Sequence, residues 1–408
     1  MRILITGATG FVGTPLARRL FLAGHELVIL SRDAGRAERR VGARARYLSW
    51  DPLSGPPPLT ALGGVEAVFN LMGENLGAGR WTPARKRAIY ESRVVGTRHL
   101  VEGLASAEPL ALWVNFSAIG YYPVNAAESF DEDGPRGEGF APRVCADWEA
   151  AAAQAPARRR VVLRVGTVLG AGGGALDKLL PPFKAGLGGP VGAGRQMMSW
   201  IHRDDLVRLC LRCVEDERFE GVINAVAPTP VSNRDFSRTL GRVLGRPARV
   251  PAPPPALKLA LGEMAQLVLD GQRIVPGRLS GLDFDHRYGA LDEALAECAG
   301  VLAVGLGGET HVCDRYEDFC FIPRPLDEVF AFFADPHNLE RITPPLLRFE
   351  VVSVSTAAVE EGTVIDYRLR LHGIPLKWRP LVRADVRKIF DFRRATILEH
   401  FRGAMTTH

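Results

Sequence analysis

The start of the chain has the hydrophobic pattern of a strand, a helix and a second strand. Residues 2–6 are mostly apolar and lead directly into Gly7, Gly10 and Gly13. Apolar side chains then recur every fourth position up to Gly24, which predicts a helix with one buried face. Residues 26–31 form a second apolar run. The pattern therefore predicts a βαβ unit of about thirty residues.

The three glycines sit where such a unit binds a dinucleotide. Gly7 permits the tight turn out of the strand, Gly10 lets a pyrophosphate approach the backbone, and Gly13 lets the helix pack close to the sheet. The free N–H groups at the start of the helix then face the phosphates. The spacing favours a dinucleotide site; the alternative is a domain that keeps this fold without the ligand.

The residues after the second strand indicate which dinucleotide is bound. An acid at this place would bind the ribose 2′-OH of NAD, but the chain has Ser31 and Arg32. A hydroxyl and a guanidinium suit a 2′-phosphate. The sequence therefore predicts NADP(H), with Asp33 as a competing acid one or two positions further on.

Further apolar runs predict a doubly wound α/β sheet. They occur at residues 45–51, 65–73, 110–117, 160–166 and 222–227, and helical patterns lie between them at 81–104, 138–153 and 204–215. This alternation is typical of a mostly parallel sheet with helices on both faces. Ser117 ends one predicted strand, at the edge where such sheets place ligands. The glycine-rich residues 170–195 are interpreted as a lid over the substrate.

Composition narrows the class of protein. The net charge is +5 and the pI is near 9.0. Arginines cluster at 36–46 and 158–160, but no nucleic-acid module accompanies them, so a solvated face and no nucleic-acid partner are predicted. No apolar run has the ~20 residues of a membrane span, and no signal-peptide pattern is present, so a cytoplasmic location is predicted. The scattered cysteines, including the pair Cys210 and Cys213, predict packing and no metal site.

Several motifs together resemble one known family, the atypical short-chain dehydrogenase/reductase proteins of the epimerase-like (sugar nucleotide epimerase-like) branch. They are GATGFVG at 7–13, NLMGEN at 70–75, SR at 92–93, SAIGYY at 117–122, GGP at 188–190 and WIHRDD at 200–205. Residues 261–295 are similar to the C-terminal module of unknown function found in that branch. The resemblance implies a Rossmann sheet of seven strands with a small C-terminal substrate subdomain, bound NADP(H) and a small-molecule substrate, nucleotide-sugar-like by the family's name. The predicted cofactor-binding residues are Gly7, Thr9, Gly10, Phe11, Val12, Gly13, Ser31, Arg32, Leu71, Met72, Gly73 and Arg93.

The chain departs from the superfamily's usual chemistry on one helix. Ordinary members carry Tyr-x-x-x-Lys there, with a glutamate four residues after the lysine. If Glu149 is that glutamate, the lysine position is Cys145 and the tyrosine position is Ala141. Ser117 and Tyr121 are then the predicted catalytic residues, and Tyr122 and Cys145 are further groups that could move a proton.

The tail resembles a second, damaged domain. Residues 1–235 are predicted as the NADP(H)-binding domain, 236–300 as the epimerase-associated module, 301–311 as a linker, and 312–403 as a partial START-like, helix-grip domain of α+β type. The middle strands of that fold are missing from the sequence, which predicts an open half-sheet with an exposed edge; the alternative is a compact variant that still closes. An apolar ligand or a protein partner is the predicted occupant of this tail.

Two functions remain open at this point. The first is an NADP(H)-dependent oxidoreductase or epimerase with relocated acid/base groups, favoured by the intact dinucleotide pattern. The second is a non-catalytic NADP(H)-sensing or binding protein whose tail contacts a partner, favoured by the missing Tyr/Lys pair.

Overall fold

The protein is described by a computed structural model, which covers residues 1–303, 310–312, 319, 321–335, 337–344, 350–355, 365–368, 370–371, 374–375, 392–393 and 396–397. The chain divides into two compact units, residues 1–315 and 316–408. The first unit contains the predicted dinucleotide pattern and is the one in which the candidate site lies.

The first unit is built on a parallel sheet of seven strands, as predicted. In chain order they are β1 (Arg2–Thr6), β2 (Glu26–Ser31), β3 (Arg46–Ser49), β4 (Ala67–Asn70), β5 (Leu110–Ala118), β6 (Ala157–Val165) and β7 (Gly221–Ala225). Their order across the sheet is β7-β6-β5-β4-β1-β2-β3. The chain therefore leaves β1 in opposite directions towards β2 and β4, and this reversal opens a crevice at the carboxyl ends of the strands.

Helices cover both faces of this sheet. They are α1 (Gly13–Leu22), α2 (Ala34–Val41), α3 (Leu59–Leu62), α4 (Pro83–Tyr90), α5 (Gly96–Leu104), α6 (Phe140–Ala152), α7 (Leu176–Lys184), α8 (Arg203–Glu215), α9 (Asn233–Val243), α10 (Pro254–Leu261), α11 (Gln266–Leu269) and α12 (Leu291–Ala299). A π-helical segment, Glu91–Val95, joins α4 to α5. The helix predicted over 81–104 is thus present, with one widened turn in its middle. Among the described helices, none has the length and apolar content needed to cross a membrane.

The central strands are apolar because both of their faces are covered. Ile3, Leu4, Ile5, Phe69 and Trp113 are all fully buried. One cluster under the sheet gathers side chains from β1, β2, β4, β5 and α5. Burial of these apolar side chains stabilises the fold by about 25 cal/mol for each Å² of apolar surface removed from water.

Short strands of the first unit form separate two-stranded pairs outside the seven-stranded sheet. Asn125–Phe130 pairs with Gln272–Ile274, Thr167–Leu169 with Trp200–His202, and Met197–Met198 with Val231–Ser232. Val301–Ala303 pairs with Thr310–Val312. The last pair lies within and beside the stretch predicted as a linker, and the predicted domain boundaries stay a prediction.

The helix α7 was not expected, because residues 170–195 were interpreted as a lid. The helix forms although Pro181 and Pro182 lie inside it. Its apolar face, Leu176, Leu180 and Phe183, packs into the cluster formed with α9 and α12. Tertiary burial therefore outweighs the local cost of two prolines.

The second unit contains α13 (Leu326–Ala334), α14 (Asn338–Arg341) and two antiparallel pairs. Glu350–Val354 pairs with Ile365–Arg368, and Arg370–Leu371 with Ile374–Pro375. Phe332 and Ile342 form a small core. The helix-grip assignment of 312–403 stays a prediction, and residues 376–391, where the chain was interpreted as shortened, lie outside the described residues.

A buried polar chain crosses the carboxyl ends of three strands. Asn70 on β4 accepts from the Thr6 hydroxyl at 2.8 Å and donates to Asn115 on β5 and to Thr97 on α5, each at 2.8 Å. The indole N–H of Trp148 donates to Thr97 at 3.0 Å. Because every member is buried, these bonds also fix the register in which α5 and α6 lie on the sheet.

We predict that Asn70→Ala lowers the free energy of unfolding by about 3 kcal/mol, because it removes three buried hydrogen bonds, those with Thr6, Thr97 and Asn115. Denaturant unfolding followed by circular dichroism measures the change. Gln154→Ala, at an exposed position after α6, serves as the control and should stay within about 0.5 kcal/mol of the parent protein. Equal effects of the two substitutions would contradict the structural role of the Asn70 network.

Candidate functional site

The glycine turn after β1 has no room for side chains. Gly7 has a φ of +70°, and a Cβ there would lie 2.6 Å from the carbonyl oxygen of Leu71. A Cβ on Gly13 would collide with the carbonyl oxygen of Gly7. Gly10 is exposed, and its N–H donates back to the Gly7 carbonyl at 3.0 Å. The turn is therefore closed tightly against the sheet and open towards the crevice.

The start of α1 presents backbone hydrogen-bond donors. Val12 caps the helix without a side-chain bond. Among the described residues, the N–H groups of Phe11 and Val12 have no acceptor. Unpaired donors at the positive end of a helix favour an anion. This geometry fits the pyrophosphate of a dinucleotide, as the glycine spacing predicts.

The ring of Phe11 is held by the glycine-rich segment. A Cβ on Gly173 would lie 2.5 Å from the Phe11 ring, and Gly170 and Gly174 approach the same ring. The Arg203 guanidinium lies 5.0 Å from the ring centroid. Residues 170–174 therefore pack on the dinucleotide turn, while their predicted action as a lid stays a prediction.

The residues that predict NADP(H) lie at the end of β2. The Arg32 side chain is 75% exposed and its Nη1 lies 3.4 Å from Oε1 of Glu74. The competing acid, Asp33, accepts the Arg36 N–H at 2.8 Å and so caps α2. Its carboxylate already caps the helix, whereas the Arg32 guanidinium is largely exposed, and half-buried Ser31 accepts the Asp33 N–H at 3.4 Å. The local charge at this corner therefore suits a phosphate.

The remaining predicted cofactor residues form one wall of the crevice. Leu71 leaves the sheet, with its N–H donating to Thr6 at 3.3 Å, and Met72 is buried beneath α5. Gly73 is exposed and lies directly against the guanidinium of Arg93. Thr9 is half-buried in the glycine turn. The structure thus brings all twelve predicted residues to the edge of the crevice or to the turn beside it.

Ser117, predicted as catalytic, is part of an ion-pair network. It is 4% exposed and donates to Oε1 of Glu149 at 2.6 Å. Glu149 receives two further bonds from Arg164 on β6, at 3.0 and 2.9 Å. Burial by itself would lower the pKa of Arg164, but the hydrogen bonds and charge of Glu149 raise it above its ordinary value. The hydroxyl of Ser117 is therefore committed to a hydrogen bond with a carboxylate.

The same network holds Tyr122. Its ring is fully buried, its hydroxyl donates to Asn224 at 2.7 Å and it accepts from Arg164 at 2.9 Å. Burial raises the pKa of Tyr122. Glu132 closes the network by accepting the Asn224 N–H at 2.9 Å. Tyr122 is therefore a structural residue, and Arg164 and Glu132 are network residues that the sequence analysis missed.

Tyr121 differs from its neighbour. It is half-buried, and its ring lies flat against Arg164, with the guanidinium carbon 3.5 Å from the ring centroid. Among the described residues, its hydroxyl has no hydrogen-bond partner. Of the two predicted catalytic residues, Tyr121 is thus the one whose polar atom is available to a ligand.

The positions of the missing Tyr/Lys pair hold groups that cannot transfer protons near neutral pH. Ala141 and Cys145 both lie within 4 Å of a Cβ placed on Gly120. Burial, and then the charge of Glu149, raise the pKa of the Cys145 thiol to about 12. Cys145 is consequently a neutral thiol, and its interpretation as a titrating group is not supported.

One group of potential metal ligands occurs in the described part of the chain. His202, Glu297 and Cys298 have ligand atoms within 4.8 Å of one another. Nε2 of His202 bonds to Glu297 at 2.9 Å, and its Nδ1 accepts the Asp204 N–H at 3.2 Å. Both ring nitrogens of His202 therefore have hydrogen-bond partners within the protein. These hydrogen bonds explain why His202 and Glu297 lie together. Cys210 and Cys213 are fully buried with raised pKa values, as packing residues would be.

We predict that Glu149→Gln destabilises the protein by about 3–5 kcal/mol, because Arg164 would keep its charge while buried without a counter-ion. Urea unfolding at constant salt measures the difference. The matched control is Glu26→Gln, which breaks the exposed pair with Arg2 and should cost less than about 1 kcal/mol. A small effect of Glu149→Gln would mean that solvent reaches Arg164.

We predict that Cys145 resists alkylation by iodoacetamide at pH 8 until the protein unfolds, since only the thiolate reacts. Its pKa rises from 9.0 to about 12 on folding, so this thiol favours the folded state below pH 9 and its contribution is lost as pH rises from 9 towards 12. Peptide mapping by mass spectrometry reports the modification. Rapid labelling of the native protein at pH 8, relative to glutathione in the same tube, would contradict a buried thiol.

Comparisons with known proteins match the part of the chain that contains this site. The model of the "NAD dependent epimerase/dehydratase family" matches residues 3–225, and that of a "domain of unknown function (DUF1731)" matches residues 252–298. The Arabidopsis thaliana "epimerase family protein SDR39U1 homolog, chloroplastic" is 38% identical over 307 residues, which is 72% of this chain and 86% of that protein. Because that relative is named chloroplastic, the cytoplasmic location of this chain stays a prediction.

Two solved structures share both fold and sequence. The human epimerase family protein SDR39U1 (isoform 2), solved with NADPH, is 35% identical with a TM-score of 0.66, covering 74% of this chain and all of that one. A nucleoside-diphosphate sugar epimerase from Corynebacterium glutamicum is 32% identical with a TM-score of 0.58, covering 73% of this chain and 58% of that one. The cofactor of the human protein is the one that Ser31 and Arg32 predict. This chain belongs to the NAD dependent epimerase/dehydratase family, with a DUF1731 module after its seven-stranded sheet.

Proposed function

We propose that this protein is an NADP(H)-dependent oxidoreductase or epimerase acting on a carbonyl or hydroxyl group of a small molecule. The observation that carries the proposal is the pair of unpaired N–H groups at the start of α1, open to the crevice beside an exposed Arg32. These groups suit the pyrophosphate and the 2′-phosphate of NADP(H). The NADPH in the human relative supports the same cofactor.

The bound nicotinamide would supply or accept a hydride at a carbonyl carbon. The chain's own contribution is then to orient the substrate oxygen and to exchange a proton with it. We assign this proton to Tyr121, because its hydroxyl is unpartnered among the described residues. Ser117 is the second candidate; to reach a substrate it must release its 2.6 Å bond to Glu149.

The proposed class of substrate comes from the name of a related protein. The Corynebacterium protein is named a nucleoside-diphosphate sugar epimerase, and it shares 32% of its residues with this chain. That identity applies to the aligned part, which covers 58% of the Corynebacterium protein. On the strength of its name we propose a nucleotide sugar as the first substrate class to test.

The alternative function is an NADP(H)-binding protein without turnover. It is favoured by Ala141 and by the buried neutral thiol of Cys145, which occupy the positions of the usual proton donor and its lysine. In that case the crevice binds NADP(H) according to its concentration without reacting it, and the tail contacts a protein partner or an apolar ligand.

Cofactor preference is tested by calorimetric titration of the full chain with NADPH and with NADH. We expect NADPH to bind at least about 10-fold more tightly, since its extra phosphate gains a charge-assisted bond. Arg32→Ala should abolish this preference. Arg238→Ala is the matched control, because Arg238 is also 75% exposed but lies on α9. Equal affinities for the two nucleotides in the parent protein would sink the NADP(H) assignment.

Catalysis is tested by mixing the NADP⁺-loaded chain with UDP-glucose and related nucleotide sugars, whose hydroxyl must first be oxidised, and the NADPH-loaded chain with simple carbonyl compounds, while following nicotinamide fluorescence and product by mass spectrometry. If turnover occurs, Tyr121→Phe should lower kcat by about 10²-fold or more. Tyr47→Phe, which alters a hydroxyl bonded to Ala43 away from the crevice, should leave kcat unchanged. Tight NADPH binding without any turnover would favour the sensing function.

A further inference from the structure

The crevice lacks a cation on the helix where the superfamily usually carries one. In ordinary members a lysine on this helix holds the ribose next to the nicotinamide. Here its place is taken by Cys145, which is buried and uncharged. If NADP(H) binds here as proposed, its nicotinamide half needs hydrogen-bond donors from another element.

Arg93 brings a positive charge to the same place from the opposite wall. Its guanidinium lies so close to Gly73 that a Cβ on that residue would be 2.7 Å from its central carbon. The guanidinium also lies 5.3 Å from the ring centroid of Trp148, one turn beyond Cys145 on α6. Arg93 therefore spans the gap between the end of β4 and the helix that lacks a lysine.

Only part of the guanidinium is used by the protein. Nη1 donates to the carbonyl oxygens of Glu74 at 3.0 Å and Ile89 at 3.3 Å. Among the described residues, Nε and Nη2 have no acceptor. Burial lowers the pKa of Arg93 to about 10, which still leaves it charged at neutral pH. Arg93 is half-buried, so its Nε and Nη2 are two donors that a ligand in the crevice can use.

The position of Arg93 depends on a local irregularity. It lies in the π-helical segment Glu91–Val95, between two regular helices. A π turn holds one more residue than an α turn, and such turns occur often at functional sites. Gly73, just after β4, leaves the space that the guanidinium fills. Two unusual local features therefore converge on one side chain.

We infer that Arg93 replaces the missing lysine. Its Nε and Nη2 hold the ribose next to the nicotinamide of NADP(H), and the neutral Cys145 leaves room for the Arg93 guanidinium. The inference rests on the proposed NADP(H) binding and gives Arg93 a specific half of the cofactor. It also explains why a lysine at position 145 would be unfavourable in this chain, since two cations would then share one crevice.

The experiment compares two probes on the full chain by calorimetry: NADPH, and adenosine 2′,5′-bisphosphate, which lacks the nicotinamide half. We expect Arg93→Met to weaken NADPH binding by about 10-fold and to leave adenosine 2′,5′-bisphosphate within about 2-fold. Arg32→Ala should weaken both probes alike. Arg98→Met, an exposed arginine on α5, is the control and should change neither.

A second experiment tests whether a lysine at position 145 can replace Arg93 in NADPH binding. Cys145→Lys should restore most of the NADPH affinity when combined with Arg93→Met, and should lower it when introduced alone. Circular dichroism of each variant, measured without either probe, identifies variants that fail to fold. Loss of both probes on Arg93→Met in a folded protein, or of neither, would overturn the inference. If the parent chain binds neither probe, the proposed function itself fails, which is a different result.

Discussion

The buried ion pair of Glu149 and Arg164 is the constraint on which the rest of the site depends. Two charges are removed from water, and the desolvation is offset only because nearly every donor and acceptor finds a partner. The pair joins α6 to β6, and Ser117, Tyr121 and Tyr122 attach β5 and the following turn to it. The placement of α6 is therefore fixed by electrostatics as well as by apolar packing.

This constraint also changes where chemistry can occur. In the usual arrangement, α6 carries both the proton donor and its supporting cation. Here the helix is committed to structure: Glu149 is bound on three sides, Cys145 is a buried thiol, and Ala141 has no polar atom. Groups that remain available lie on other elements, on the turn after β5 and on the widened turn between α4 and α5. The crevice keeps its shape while its functional groups come from different parts of the chain.

The sequence predicted the sheet well because its signals are local. Apolar runs ending in glycine or small polar residues mark β1, β2, β4 and β5, and the glycine spacing places the dinucleotide turn. The helix α7 was missed because two prolines weaken its local signal, while its stability comes from distant partners on α9 and α12. The sequence favoured Tyr121 over Tyr122 as the catalytic residue, but only the tertiary fold decides which of two adjacent rings is buried. Arg164 offered one signal, a charge within an apolar strand, but its partner lies fifteen positions earlier on another element.

The contacts that bring residues 272–298 onto the sheet have a consequence for how the two family segments can evolve. His202 bonds to Glu297, the buried Asp205 accepts the N–H groups of Arg287 and Tyr288, and Glu132 accepts that of Arg278. Each bond joins a group of the sheet segment to the following module, and several of these groups are fully buried. The two segments share these polar contacts, and the apolar cluster around α7 also contains side chains from both, so exchanging the module between relatives requires co-inheritance of the partner groups. The border between the two segments in sequence is crossed by hydrogen bonds from the buried Asp205 in the fold.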